Sequence, residues 1–211
     1  MTINIRPGDA LIIVDPQIDF CPGGALAVEG GDEIMVSISA LAREFREAGA
    51  VVVITQDWHP ANQISFASHH GVEPFSTIQV GYGEQTMWPD HCVQGTPGAE
   101  FHPALDTTLA QIIIRKGTNP LIDSYSAYTE NDGVTTTGLG GYLDAMDVTR
   151  CFFVGLAYDY CVGYSALDAV DEGFAAVVVR DLTRAINSES AGAMKWKLDE
   201  AGVININSED I

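Results

Sequence analysis

Cys161 closes the turn GLAYDYC over residues 155–161 and stands just before a stretch in which Val162, Ala166, Leu167 and Val170 share one helical stripe, with Gly173 as its stop. A thiol at a helix N-terminus faces unpaired N–H groups and the positive end of the helix dipole. Those groups and a nearby lysine would favour a thiolate over the ordinary thiol of pKa about 8.5. The competing reading is a small buried hydrophobe beside an apolar stripe. Other groups able to do chemistry are Asp15, Lys116 and the pair Asp57 and His59, spaced D-x-H. In an extended segment residues two apart point the same way, so such a pair can hold one metal ion, and His91 in WPDHCV is a third candidate ligand. One carboxylate with two imidazoles suits zinc, iron or manganese and leaves positions for water or substrate. The spacing is not that of a zinc finger, and polar residues at strand ends are also common without any chemical role.

What could bring these residues together is the order of elements. Short, uniformly apolar runs recur at Ala10 to Val14, Val51 to Ile54, Ile112 to Ile114, Phe152 to Val154 and Ala175 to Val179, with a weaker one at Val203 to Ile206. Such runs read as strands covered on both faces. Between the first two, Ile34, Ile38, Leu41, Ala42 and Phe45 keep a helical period, with Asp32 as the expected cap and Gly49 as the stop. A third helix carries Ala191, Met194, Lys195 and Leu198. The alternation predicts an α/β fold: a three-layer α/β/α sandwich around a mainly parallel sheet of about six strands with right-handed crossovers. Ligands of such sheets bind beyond the carboxyl ends of the strands, which is where Asp15, Asp57, Lys116 and the turn to Cys161 fall. The long stretch from His59 to Phe101, rich in Gly, Pro, His and aromatics, is expected to wall the site.

With 211 residues, 46% hydrophobic and 18% charged, the chain reads as one globular domain over 1–211. Ten basic against 29 acidic residues give a formal charge of −19, which repels a phosphate backbone and argues against nucleic acid as a partner. No apolar run approaches the roughly 20 residues that cross a bilayer, and MTINIRPGDA has neither the basic start nor the apolar core of a signal peptide. The expectation is a cytoplasmic protein with no membrane partner. Cys21, Cys92, Cys151 and Cys161 show no C-x-x-C spacing and are expected to be free thiols. An exposed edge strand or apolar helix face would support a homo-oligomer.

Taken together, DPQIDF at 15–20, TQDWHPANQISFASHHG at 55–71, MWPDHCVQGTPGAEFHP at 87–103, KGTNPLIDSYSAY at 116–128 and GLAYDYCVGYSALDA at 155–169 resemble the nicotinamidases (pyrazinamidases). These are a family of isochorismatase-like cysteine hydrolases, and the match runs in the same order and spacing from about residue 10 to 190. The resemblance implies hydrolysis of nicotinamide to nicotinic acid and ammonia in NAD salvage, with pyrazinamide also accepted. It implies that Asp15 takes the thiol proton, that Lys116 holds the thiolate and orients Asp15, and that Cys161 attacks. It places an oxyanion hole at the N–H groups of Ala157 and Cys161, with a cis peptide between Leu156 and Ala157. It makes Asp57, His59 and His91 ligands of one divalent ion, most simply zinc, that binds the ring nitrogen of the substrate. Phe20, Trp88 and Tyr125 become the aromatic walls, and Asp19 a support for the metal's waters or for its loop.

The chain departs from that family at several points. Gln63 stands where many members have a further histidine or carboxylate, so three protein ligands and extra waters are expected, with His69 and His70 as remote substitutes. Tyr158 replaces a small hydroxyl residue and is expected either to reshape the pocket mouth or to point outward. Gly163 is expected to weaken its helix. Cys21, Cys92 and Cys151 are expected to pack. Two other enzyme readings keep the fold and the cysteine. An isochorismatase generally lacks the metal ligands, and an N-carbamoyl amidohydrolase would want an arginine cluster not evident here. A catalytically silent binding protein would have no need of Asp15, Lys116 and Cys161 together.

Overall fold

The computed structural model describes residues 3–211. In chain order the elements are β1 (Asp9–Val14), α1 (Met35–Glu47), β2 (Val51–Asp57), the single turn α2 (Ala67–His70), β3 (Thr77–Val80), β4 (Gly83–Thr86), β5 (Ile112–Lys116), α3 (Leu139–Ala145), β6 (Arg150–Leu156), α4 (Gly163–Asp171), β7 (Ala175–Arg184), α5 (Ser188–Glu200) and β8 (Ile204–Ile206). Six strands form one sheet in the order β5-β2-β1-β6-β7-β8, every pair parallel, while β3 and β4 make a separate antiparallel hairpin. The expected α/β fold with a six-stranded sheet is the one observed.

Alternation along the strands assigns each face its own core. Leu11, Ile13, Val52, Ile54, Phe152 and Val154 pack with Ile38, Leu41 and Phe45 of α1, whereas Ala10, Ile12, Val51, Val53 and Phe153 pack with α3, α4 and α5 through Leu143, Ala166, Met194 and Leu198. The stops fall as expected, with Gly49 at φ 75° and Gly173 at φ 94°. Asp32 does not cap α1 with its side chain; its carbonyl accepts from Met35 N–H at 3.4 Å within a preceding turn. Asn187 caps α5, accepting from the N–H groups of Glu189 and Ser190. α3 and the β3–β4 hairpin lie in stretches the periodicity left unassigned, because LGGYLDA is short and the strands TIQV and GEQT mix exposed and half-buried polar residues.

Candidate active site

Four parallel strands end side by side and deliver one polar group each to the same edge. Asp15 follows β1 in a left-handed conformation at φ 44°, and Thr55 of β2 fastens it: the Asp15 N–H donates to Thr55 Oγ1 at 3.0 Å, and that hydroxyl donates to Asp15 Oδ1 at 2.5 Å. Lys116 ends β5 fully buried, with Nζ 2.9 Å from Asp15 Oδ2, 2.5 Å from Asp57 Oδ1, 3.0 Å from the Ser124 carbonyl and 3.4 Å from Cys161 Sγ. Cys161 reaches this cluster because Gly155, at φ 104°, lets β6 pass the end of β1; a Cβ there would lie 2.2 Å from the Val14 carbonyl oxygen. The peptide between Leu156 and Ala157 is cis, as the family resemblance implies. Cys161 does not stand ahead of a helix but inside a π-helical turn, Tyr158–Val162, closed by the Val162 N–H on the Ala157 carbonyl at 3.1 Å and continued by α4.

The electrostatics overturn one expectation. Burial opposes the Lys116 charge, yet the Asp15 and Asp57 carboxylates hold its pKa well above the usual lysine value. Burial of Cys161 pushes its thiol well up; Lys116 pulls the other way, but Asp15 and Asp57 add to the rise. A helix end and a lysine would lower this pKa; here desolvation and two carboxylates outweigh the one ammonium and the shift is upward. Asp15 is shifted upward as well, first by burial, against the pull of Lys116, with Asp57 reinforcing the rise. A carboxylate more basic than usual beside a thiol is matched to accept its proton.

Asp57 faces both ways. Its Oδ1 pairs with Lys116, and its Oδ2 lies 3.4 Å from His59 Nε2 and 3.8 Å from His91 Nε2. Asp57, His59 and His91 each offer one donor atom, all within 4.8 Å of one another. The far nitrogens are engaged by backbone: His59 Nδ1 lies 3.0 Å from the Gly117 carbonyl and His91 Nδ1 2.8 Å from that of Pro89, an arrangement that assigns the proton to Nδ1 and turns Nε2 inward. His59 Nε2 is buried with no hydrogen-bond partner, and a divalent ion would satisfy it. The donor set fits zinc, iron or manganese alike.

Beside the thiol lies a narrow pocket whose walls include Phe20, Trp88 and Tyr125, together with Asp57, His91, Ala157 and Cys161. All three expected aromatics are present there. The sequence reading missed Tyr160, whose ring stands edge-on to Trp88 at 4.9 Å and to Tyr125 at 5.4 Å, and also missed Leu26, Asp123 and Ile186. Tyr160 adjoins Cys161 in the turn, a neighbourhood that could have flagged it; Leu26 and Ile186 carry no local signal. Asp123 Oδ1 lies 3.9 Å from His59 Nε2, outside the compact donor group.

Gln63 faces away from the ion position, donating to the Ile122 carbonyl at 3.0 Å beneath His59, so it does not replace a ligand. His70 Nε2 is taken by the Ile64 carbonyl at 2.7 Å, and neither His69 nor His70 joins the donor group. Asp19 braces the loop, accepting from Cys92 N–H at 2.7 Å and Ala25 N–H at 3.2 Å. Tyr158 neither lines the mouth nor points outward. It is buried in the α4–α5 face of the core, with the Arg180 guanidinium 3.5 Å from its ring centroid. Gly163 is buried where a Cβ would sit 2.4 Å from Met194 Sδ, so glycine there admits close α4–α5 packing. All four cysteines are free and buried.

The isochorismatase domain model matches residues 9–210. The nicotinamidase of Acinetobacter baylyi is 49% identical over 204 residues, covering 96% of this chain and 94% of that one. A protein of L. infantum solved in complex with nicotinate superposes with a TM-score of 0.87 at 39% identity, over 100% of this chain and 98% of the other. The pyrazinamidase of Pyrococcus horikoshii, solved in complex with zinc, gives 0.79 at 38% identity over 95% and 99%.

Proposed function

The chain belongs to the isochorismatase family, and from that premise we propose that it is a nicotinamidase, an amidohydrolase converting nicotinamide and water to nicotinic acid and ammonia. The observation that carries this reading is the convergence of Asp15, Lys116 and Cys161 beside a pocket lined by Phe20, Trp88, Tyr125, Asp57 and His91, with His59 in the same donor group as the last two. Pyrazinamide, which keeps the carboxamide on a flat nitrogen ring, fits the same pocket chemistry, and a role in NAD salvage accords with the product.

In the proposed mechanism the carboxamide carbon is presented to Cys161 while Phe20, Trp88 and Tyr125 hold the ring. Asp15 takes the thiol proton as sulfur adds to the carbonyl, and the N–H groups of Ala157 and Cys161 receive the developing oxyanion. Lys116 stays protonated and holds the sulfur and Asp15 in register. Asp15 then returns its proton to the departing ammonia, leaving a thioester. Acting again as base, Asp15 activates the water that releases nicotinic acid and restores the thiol. Asp57, His59 and His91 would hold a divalent ion, zinc in the simplest case, whose contribution is Lewis acidity toward the ring nitrogen of the substrate.

A single domain over 1–211, a cytoplasmic location, and the absence of nucleic-acid and membrane partners belong to the same proposal. The charge of −19 supports the exclusion of nucleic acid, and among the described residues no helix is long and apolar enough to cross a membrane. Self-association would use the sheet edges, where Ile113 and Ile204 are exposed. The test is ammonia release from nicotinamide. Wild-type protein supplied with metal should release it, and Cys161→Ala should abolish release. A wild-type preparation holding one equivalent of zinc, iron or manganese yet silent on nicotinamide would overturn the reading.

A further inference from the structure

The β3–β4 hairpin stands apart from the central sheet, and along its two strands, TIQV and GEQT, Gln85 is the one buried residue, 1% exposed. A polar side chain buried while its neighbours stay in solvent must recover its hydrogen bonds inside the protein. Gln85 Nε2 lies within donor distance of Asp123 Oδ2 at 2.9 Å, the Tyr125 hydroxyl at 2.9 Å and the Thr86 carbonyl at 2.8 Å. Its Oε1 accepts from the Tyr82 hydroxyl and from Asn131 Nδ2, both at 3.0 Å. These partners fix which way the amide points, because a carboxylate and a carbonyl can only accept.

Two of these partners are walls of the catalytic pocket. Asp123 and Tyr125 both line it, and the Tyr125 hydroxyl also accepts from Trp88 Nε1 at 3.2 Å. One amide thus fixes Asp123, Tyr125 and, through that hydroxyl, Trp88. The backbone of the same stretch is held separately, by the Tyr125 N–H on Asn131 Oδ1 at 3.0 Å and the Asn131 N–H on the Asp123 carbonyl at 2.8 Å. Between them Ser124 turns its carbonyl to Lys116 Nζ at 3.0 Å. Loss of the Gln85 amide would therefore loosen the ring and the carboxylate while the chain that supports Lys116 stays in place.

We propose that Gln85 is a positioning residue, the group by which the hairpin sets the rings of Tyr125 and Trp88 against the substrate; this rests on the nicotinamidase reading above. Gln85 is not itself part of the pocket lining, so it acts through those walls and not on the reacting atoms. A ring held by looser walls binds less tightly, and once bound it meets the same Asp15, Lys116 and Cys161. An interaction made equally in the bound ground state and in the transition state appears in KM and not in kcat.

The test compares Gln85→Leu, which keeps the bulk and removes the amide, with wild type in two ways: steady-state ammonia release from nicotinamide, and the indole N–H resonances in a proton–nitrogen correlation spectrum. The result expected is a KM raised about tenfold with kcat changed less than about threefold. The Trp88 indole resonance should shift while those of Trp58 and Trp196 stay in place. Tyr82→Phe removes a half-buried hydroxyl from Gln85 Oε1; it should shift the same resonance and raise KM about threefold, and it decides the question should the leucine variant fail to fold. A merely structural role lowers the folded fraction, and with it kcat, and leaves KM unmoved. That pattern in either variant overturns the proposal, as does an unmoved Trp88 resonance. Wild-type protein with metal that is silent on nicotinamide would sink the substrate reading alone, because the Trp88 resonance still reports whether Gln85 holds Tyr125.

Discussion

Asp15 has three neighbours that set how tightly it holds a proton: Lys116 and Thr55 favour its carboxylate, and Asp57 opposes it. The Thr55 hydroxyl is a buried donor to a charged group, an interaction worth about 1.5–3 kcal/mol. Thr55→Val should raise the Asp15 pKa by about one unit or more and move the acid limb of kcat/KM to higher pH in the same measure. An unmoved acid limb would rule out Asp15 as the group that must be ionised. His59 yields a second prediction. Burial opposes its charge, but the Asp57 and Asp123 carboxylates raise its pKa to about 9, so in metal-free protein near neutral pH it is protonated. An ion must displace that proton. Metal binding at pH 7 should therefore release about one proton, read by titrating zinc in buffers of different ionisation enthalpy, and affinity should climb as pH approaches 9. Buffer-independent heats would refute it. These couplings were not legible in the sequence, which supplied the types Asp, Lys, Cys and His but not their burial. The direction of the Cys161 shift was missed for that reason: helix position and a lysine were visible, while the placing of two carboxylates near the same sulfur was not.

At the scale of elements, a turn after a strand does as much as the residue it presents. Gly117, at φ 62°, follows β5 directly under His59, and a Cβ there would lie 2.4 Å from His59 Cε1 while its carbonyl receives the ring's Nδ1–H. Gly117→Ala should displace the imidazole and lower bound metal well below one equivalent, with melting changed less than by a core cavity; full metal content by elemental analysis would contradict this. Elsewhere β1 and β6 are stitched by Arg150, whose guanidinium grips fully buried Asp9 at 2.9 and 2.7 Å. Arg150→Met should cost about 3 kcal/mol in chemical denaturation, near the low end for an orphaned buried charge because Arg6 remains 3.7 Å away. The central strands were readable because they are apolar on both faces, and α1 because its period is long. The β3–β4 hairpin alternates exposed and half-buried residues without a strong pattern, and α3 rests on the buried Leu139 and Leu143, too little for a period to declare itself.

Across the whole molecule, acidic residues outnumber basic ones by 19, and the few cations are largely committed: Lys116 inside, Arg150 to Asp9, Arg43 to Asp106, Lys195 to Asp199 and Arg184 to Glu33. The sequence states that excess plainly but not where it gathers: Glu84, Glu130, Asp168, Asp171 and Glu172 come from separate elements and line one cleft beside Tyr125. Repulsion among unpaired surface charges weakens the folded state and is screened by salt, so the melting temperature should rise between 20 and 500 mM NaCl. Glu130 adds a pH dependence of definite sign. Burial, the largest influence, raises its pKa from 4.5 to about 7. Between those values the folded chain holds the proton more firmly than the unfolded chain. Its contribution to stability is thus fully present below about 4.5 and is lost as pH rises through about 7. Glu130→Gln removes this titration, so the stability difference between variant and wild type should shift in the variant's favour from pH 5 to pH 7.5 and stay level above. Parallel curves for the two proteins across that range would show that Glu130 is ionised throughout.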